Sequence, residues 1–243
     1  MNDQSAKLQP HDPASQRRQL ANLGPIEQLR AGKLPRRLIQ LVVGLFLYGA
    51  SMALVIRAGL GVIPWDVLHL GIITHVPTTF GTMTILVSLV VLLIWIPLRQ
   101  RPGVGTIANA FLVGLSADLV LNLVPDLSSL QARIPLLIGA IALNGLATAL
   151  YVGAQLGPGP RDGLMTGLAR VSGRSIRLVR TAIEVTVVLI GVILAGSVSG
   201  VLGLGTILYA VSIGPLTQAM LPWCTVPLNP RRAPTITHDS PTP

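Results

Sequence analysis

The chain has 243 residues, of which 51% are apolar and only 11% charged, with a mean hydropathy of +0.67 and a net charge of +9. Soluble domains carry about 25% charged residues, so a water-facing surface is excluded for most of the chain and lipid is its solvent. The positive charge sits at the ends and in short stretches between apolar blocks, and aromatics are 4%, which excludes a base-stacking nucleic-acid surface in favour of the positive-inside bias of membrane proteins.

Cys224 is the single cysteine, so no internal disulfide or cysteine-based metal framework is possible. The histidines, His11, His69, His75 and His238, form no cluster with metal-ligand spacing, and neither a metal nor a cofactor is expected.

In chain order, residues 1–35 are polar and rich in Gln, Arg and Pro, too long and too polar for the start of a signal peptide, and predict a cytoplasmic tail with little fixed structure. Six apolar stretches then follow that are long enough to cross a membrane: Leu38–Ile56, Phe80–Leu98, Val104–Val124, Ile134–Val152, Leu178–Ala195 and Leu202–Leu221. Two further segments, Val62–Val76 and Pro160–Gly173, are shorter and more polar. Each opens with a proline at the first helical position, Pro64 or Pro160, and an acidic residue two positions on, which together fix a helix start. Residues 225–243, rich in Pro and Thr, predict a second cytoplasmic tail.

The two halves match. Gly61, Pro64, Asp66, Leu68 and Gly71 reappear 96 positions later as Gly157, Pro160, Asp162, Leu164 and Gly167. Gly103, Gly105, Thr106, Ile107 and Gly114 reappear 100 positions later as Gly203, Gly205, Thr206, Ile207 and Gly214. Gly49 and Ala53 recur as Gly145 and Ala149, small-xxx-small pairs that let helices approach closely. Order and type agree, so the expected architecture is an all-α polytopic membrane protein of two tandem repeats, residues 36–125 and 133–222. Each repeat has about three long transmembrane helices plus one short re-entrant or half helix. For the glycines and threonines of the motifs, packing is the expected role.

Whether the short segments cross decides the topology. If they cross, the copies are parallel; if they enter and return, the copies are inverted. With the N-terminus inside, as Arg30, Lys33, Arg36 and Arg37 indicate, the inverted arrangement keeps Arg99, Arg101, Arg161, Arg170, Arg174, Arg177, Arg231 and Arg232 inside and leaves Arg57 and Arg133 near the outer face. That arrangement fits the positive-inside rule better, and puts both termini in the cytoplasm.

The blocks GLGVIPWDVLHLGI and RPGVGTIANAFLVGLSADLVLNLVP resemble the YczE/YitT-type group of bacterial integral membrane proteins over roughly residues 38–222. The resemblance implies a multipass protein of the bacterial inner membrane and brings little functional detail. Arg161 stands where the first copy has Trp65, so the two motif sites are not equivalent.

Asp66 and Asp162 are the sharpest candidates for a substrate or ion pathway, because ionisable groups at membrane depth are costly. The competing reading is structural: each carboxylate caps its own helix start, or pairs with an Arg such as Arg57 or Arg161. Two acidic groups at helix starts favour a cation, proton or amine over a simple anion. Asp118 lies within the third long helix, in a polar cavity or close to the hydrated surface. His69, three residues after Asp66, is a relay candidate or a hydrogen-bonded packing residue, and Arg161 completes the candidate set. Glu184, four residues after Arg180, is explained by an ion pair along one helix face.

No Gly-x-Ser-x-Gly, His-Glu-x-x-His or phosphate loop is present, and no enzyme activity is expected. A small-solute transporter or permease is the first functional expectation. A non-transporting accessory or scaffold protein that binds a protein partner is the second. Beyond the bilayer itself, anionic lipid head groups at the cytoplasmic arginines are the expected contact, and a protein partner or homo-oligomer stays open.

Overall fold

The structure, a computed structural model, describes residues 24–197 and 200–228, and all regular structure among them is helical. The elements are α1 (Pro25–Arg30), α2 (Leu34–Ala58), α3 (Pro64–Ile73), α4 (Phe80–Trp95), α5 (Val104–Leu123), α6 (Leu130–Gly153), α7 (Pro160–Ser172), α8 (Ile176–Ala195) and α9 (Leu204–Cys224). Five of them, α2, α5, α6, α8 and α9, are long and apolar enough to cross a membrane by length and composition. The sixth expected span, α4, is helical for only 16 residues. Pro97 explains the shortening: it has no N–H to continue the i→i−4 ladder, so the regular helix stops and Ile96–Arg99 continue as turns, with Ile96 itself still in the αR region.

The expected tails are shorter than their sequences suggest. Residues 1–23 and 229–243, with His11, Arg231, Arg232 and His238, lie outside the described residues. Residues 24–35, read as tail, instead form α1 and the start of α2. Pro25 opens α1 and Glu27 accepts from the Gly24 N–H, a local stop-and-start that composition alone hides. At the other end Val226 is buried and its N–H donates to Gly153 O (3.0 Å), so the chain past α9 is clipped to the end of α6.

The centre is the antiparallel pair α2 and α6. Arg37, in the first turn of α2, donates to Ala154 O (2.8 Å) and Gln155 O (2.6 Å) past the end of α6. Arg133, in the first turn of α6, donates to Ala58 O (2.6 Å) and to Gly59 O past the end of α2. Between these clamps Leu41, Leu45 and Met52 pack against Ala140, Ile141 and Ala147. Lipid tails are as apolar as these side chains, so close packing and hydrogen bonds hold the pair together, without a water-driven hydrophobic term.

Small residues set the neighbours. Gly49 of α2 lies against Val113, Ser116 and Ala117 of α5, and Gly145 of α6 lies against Leu216 of α9. These contacts run α5 parallel to α2 and α9 parallel to α6.

The short helices α3 and α7 each have both flanks at one end of the bundle. Arg57, at the end of α2, reaches Leu121 O of α5, and Gly81 N–H, at the start of α4, donates to Asp118 Oδ1 of α5 (2.6 Å). Both flanks of α3 therefore lie at one end of α5. At the opposite end Leu156 O, just before α7, accepts from Gly105 N–H (2.7 Å), and Arg170, near the end of α7, donates to Leu98 O (2.6 Å). The basic residues Arg30, Lys33, Arg37, Arg99, Arg101, Arg170 and Arg174 collect at this second end. Arg57 and Arg133 are at the first, where Arg57 pairs with Asp126 (2.5 Å).

Candidate functional site: a polar cavity at the starts of the short helices

The turns that launch the short helices are fixed by glycines with positive φ, Gly61 (+108°) and Gly157 (+118°), a backbone region that favours glycine. Each turn is held by the later motif. Gly205 N–H donates to Leu60 O (2.8 Å) and Thr206 Oγ1 to Val62 O (2.8 Å). Gly105 N–H donates to Leu156 O (2.7 Å) and Thr106 Oγ1 to Pro158 O (2.7 Å). The motif threonines are thus hydrogen-bonding clamps rather than packing residues alone. The glycines of these motifs, Gly103, Gly105, Gly203 and Gly205, allow the backbones to touch.

So placed, the starts of α3 and α7 line one cavity of about 200 Å³. Ile63, Pro64 and Trp65 form one wall, Arg161, Asp162 and Met165 another. Tyr48 of α2 and Tyr151 of α6 lie beneath, and their rings meet edge to face at 5.9 Å. Arg180 and Glu184 of α8 face Tyr209, Gly214, Thr217 and Gln218 of α9 across the remainder. A smaller cavity of about 40 Å³ beside it is bordered by Tyr48, Trp65, Arg161, His69 and Thr84.

The candidate residues divide accordingly. Asp162 is on the cavity wall, with Oδ2 accepting from Tyr151 O–H (2.5 Å). Arg161 stacks over the Tyr48 ring, 5.2 Å from its centroid, near the middle of α2. Asp66 is fully buried, yet among the described residues neither of its oxygens receives a hydrogen bond; His69 Nδ1 is its nearest polar partner at 3.5 Å. His69 also stands 3.5 Å from Thr84 Oγ1 and edge-on to Phe80. Neither pairing read from the sequence forms: Arg57 turns to Leu121 and Asp126, and Arg161 to Tyr48. Asp118 lies outside the large cavity and ties down the start of α4 through Gly81 N–H and Thr79 Oγ1.

The remaining motif residues also split. Gly71 packs on Gly191 of α8, Gly167 on Leu98 and Gln100, and Gly114 on Gly81 of α4. Gly214, the counterpart of Gly114, has open space beside it and borders the cavity. The seam between α8 and α9 is therefore open where that between α4 and α5 is closed.

Sequence reasoning missed Tyr48, Tyr151, Tyr209 and Asn144, which a helical-face reading treats as core. Asn144 donates to Ser51 Oγ (2.7 Å) and accepts from Tyr209 O–H (3.0 Å), a buried polar thread through α2, α6 and α9. The Arg180–Glu184 pair is formed as read (2.9 Å), but it stands on the cavity wall rather than on an idle face.

An all-helical bundle with five helices long and apolar enough to span a membrane defines a polytopic α-helical membrane protein. Residues 35–222 match a family of unknown function, DUF6198, and the chain belongs to that family. It is 38% identical over 181 residues to an uncharacterized protein of Haemophilus influenzae, covering 74% of this chain and 81% of that one. It is 31% identical over 176 residues to the uncharacterized membrane protein YczE of Bacillus subtilis (72% and 80% covered), in line with the YczE-type resemblance of its motifs. YyaS of Bacillus subtilis, also uncharacterized, is 28% identical over 184 residues, with 74% and 90% covered. No solved structure matches.

Proposed function

We propose that the protein is a small-solute transporter or permease of the bacterial inner membrane, built from two inverted repeats, α2–α5 and α6–α9, with its pathway through the cavity between them. The observation that carries this reading is the convergence of two short helices, one from each half, on one cavity lined by charged and polar side chains. Returning or broken helices that meet near the midplane at the repeat interface are a recurrent transporter design.

Matched contacts support the repeat. The Arg37 and Arg133 clamps, the Gly105 and Gly205 bonds and the Thr106 and Thr206 bonds are pairwise equivalent at the offsets of the sequence motifs. With α2 antiparallel to α6, the relation between the halves is an inversion. The positive-inside rule then assigns the end rich in Arg and Lys, and both ends of the described chain with it, to the cytoplasm.

The halves differ in one respect that suits transport. At the basic end α8 and α9 stand apart around the cavity mouth, where Arg180 and Gln218 are exposed. At the far end α4 and α5 are closed by Gly81 against Gly114 and by the Asp118 bonds. One access route is open while its counterpart is shut, as expected of a cytoplasm-facing state.

Proteoliposomes given an osmotic shock with a panel of small neutral, cationic, anionic and zwitterionic solutes test the proposal. Faster volume recovery than protein-free liposomes for at least one solute, lost in Asp162→Asn, is the expected result. Indistinguishable recovery across the panel opposes it.

A further inference from the structure

The charges on the cavity wall identify the kind of solute that fits it, an inference that rests on the transporter reading for its purpose but not for its chemistry. Four charged side chains line the cavity, Arg161, Asp162, Arg180 and Glu184. Arg180 and Glu184 neutralise each other at 2.9 Å. Arg161 and Asp162 do not pair with each other. Among the described residues the Arg161 guanidinium stacks on the Tyr48 ring and has no carboxylate or carbonyl acceptor. Asp162 receives one hydrogen bond, from Tyr151, at Oδ2, which leaves its other oxygen free to accept. Thr217 Oγ1, also on the wall, is buried and has no partner among the described residues.

We infer that this cavity binds a small zwitterion, with Arg161 taking its carboxylate and Asp162 its ammonium group. A bare anion drawn to Arg161 would share the cavity with the Asp162 carboxylate, and a bare cation drawn to Asp162 would share it with the guanidinium. A molecule carrying both charges a few bonds apart satisfies both residues and leaves no net charge at membrane depth, where an uncompensated charge is costly. The planar guanidinium matches a carboxylate through paired N–H donors. A volume of about 200 Å³ holds a solute of amino-acid or betaine size, several times the roughly 30 Å³ of one liquid water. The sequence alone favoured a cation or amine because it counted Asp66 and Asp162 together. Asp66 does not line this cavity, and Arg161 does.

Thermal unfolding of the full chain in lipid nanodiscs, with glycine as the probe and acetate and methylammonium as its two halves, tests the assignment. Glycine raises the melting temperature of the wild type in a saturable way, as expected for a ligand of the native state. Each half alone acts at least about tenfold more weakly, as does glycine on Arg161→Gln, since one charged hydrogen-bonded contact is lost. Arg161→Lys retains part of the response, which separates lost charge from misfolding. A glycine effect that does not saturate, or is the same in Arg161→Gln, is solvent exclusion and overturns the inference, as does an equal response to acetate or methylammonium. Radiolabelled glycine uptake is measured in parallel. Binding without uptake supports the zwitterion site while counting against transport; no saturable binding overturns the site whatever the flux.

Discussion

Arg37 and Arg133 make the same contact from opposite ends of the bundle: each, in the first turn of its own helix, satisfies the last free carbonyls of the other's. Helix ends leave carbonyls without partners, and in lipid nothing else supplies a donor. A guanidinium with several N–H groups can reach two of them at once. The two residues lie 96 positions apart, the same offset as the Gly-Pro-Asp motifs.

Removing either clamp therefore leaves buried carbonyls unpaired. Arg133→Ala, which loses two charged hydrogen bonds, is expected to cost about 2–4 kcal/mol, and Arg37→Ala, which also loses its bond to Gln28 O, at least as much. The double variant is expected to be close to additive, because the sites are at opposite ends of a 25-residue helix. Lys at either position restores little, since a point charge does not fork. Reversible unfolding in mixed micelles measures all five variants.

The returning helices predict a topology. With Cys224→Ser and a single cysteine in place of Gln100, an impermeant thiol reagent is expected to label only permeabilised cells. A single cysteine at Leu127, between α5 and α6, is expected to be labelled in intact cells. Labelling of both positions from outside is incompatible with inverted halves.

Gly114 and Gly214 hold equivalent sequence positions but are expected to behave differently. A methyl group at Gly114 meets Ile85 and the Gly81 backbone, so Gly114→Ala should cost about 1–3 kcal/mol through overpacking. At Gly214 the space is open, and Gly214→Ala should change stability by less than about 0.5 kcal/mol. Paired thermal melts decide it; equal losses would mean that the α8–α9 seam is closed in the membrane.

Among the described residues Asp66 receives no hydrogen bond on either oxygen and meets His69 Nδ1 only at 3.5 Å, so a purely structural carboxylate there would be poorly compensated. Asp66→Asn is expected to leave the melting temperature unchanged or higher and to reduce flux of whichever solute the osmotic panel identifies. A lower melting temperature with normal flux assigns Asp66 to structure.

The accessory alternative has its own test. Purification in mild detergent is expected to give the chain without a stoichiometric second protein; a reproducible one-to-one partner would favour the scaffold reading.

Much of this was open to inspection in the sequence. The apolar runs located the spans, because about 20 residues of helix must hide their backbone in lipid. The prolines and glycines marked the short helices, because Pro64, Pro160, Gly61 and Gly157 act through local backbone geometry, which needs no partner. The clamp arginines were visible but uninterpretable: Arg37 and Arg133 read as boundary charges until α2 and α6 are known to be antiparallel.

Sequence alone thus determined that this is a helical membrane protein and showed motifs that recur at fixed offsets, since periodicity, hydropathy and turn chemistry are local properties of the chain. Tertiary structure decided which side chains share a space. It sent Asp118 to the start of α4, Thr106 and Thr206 to turns in the opposite half, and Arg180 and Glu184 to a cavity wall. It also set Arg161 over the Tyr48 ring rather than against a carboxylate. Those placements depend on how helices far apart in the chain pack against one another, a relation that no window of residues contains.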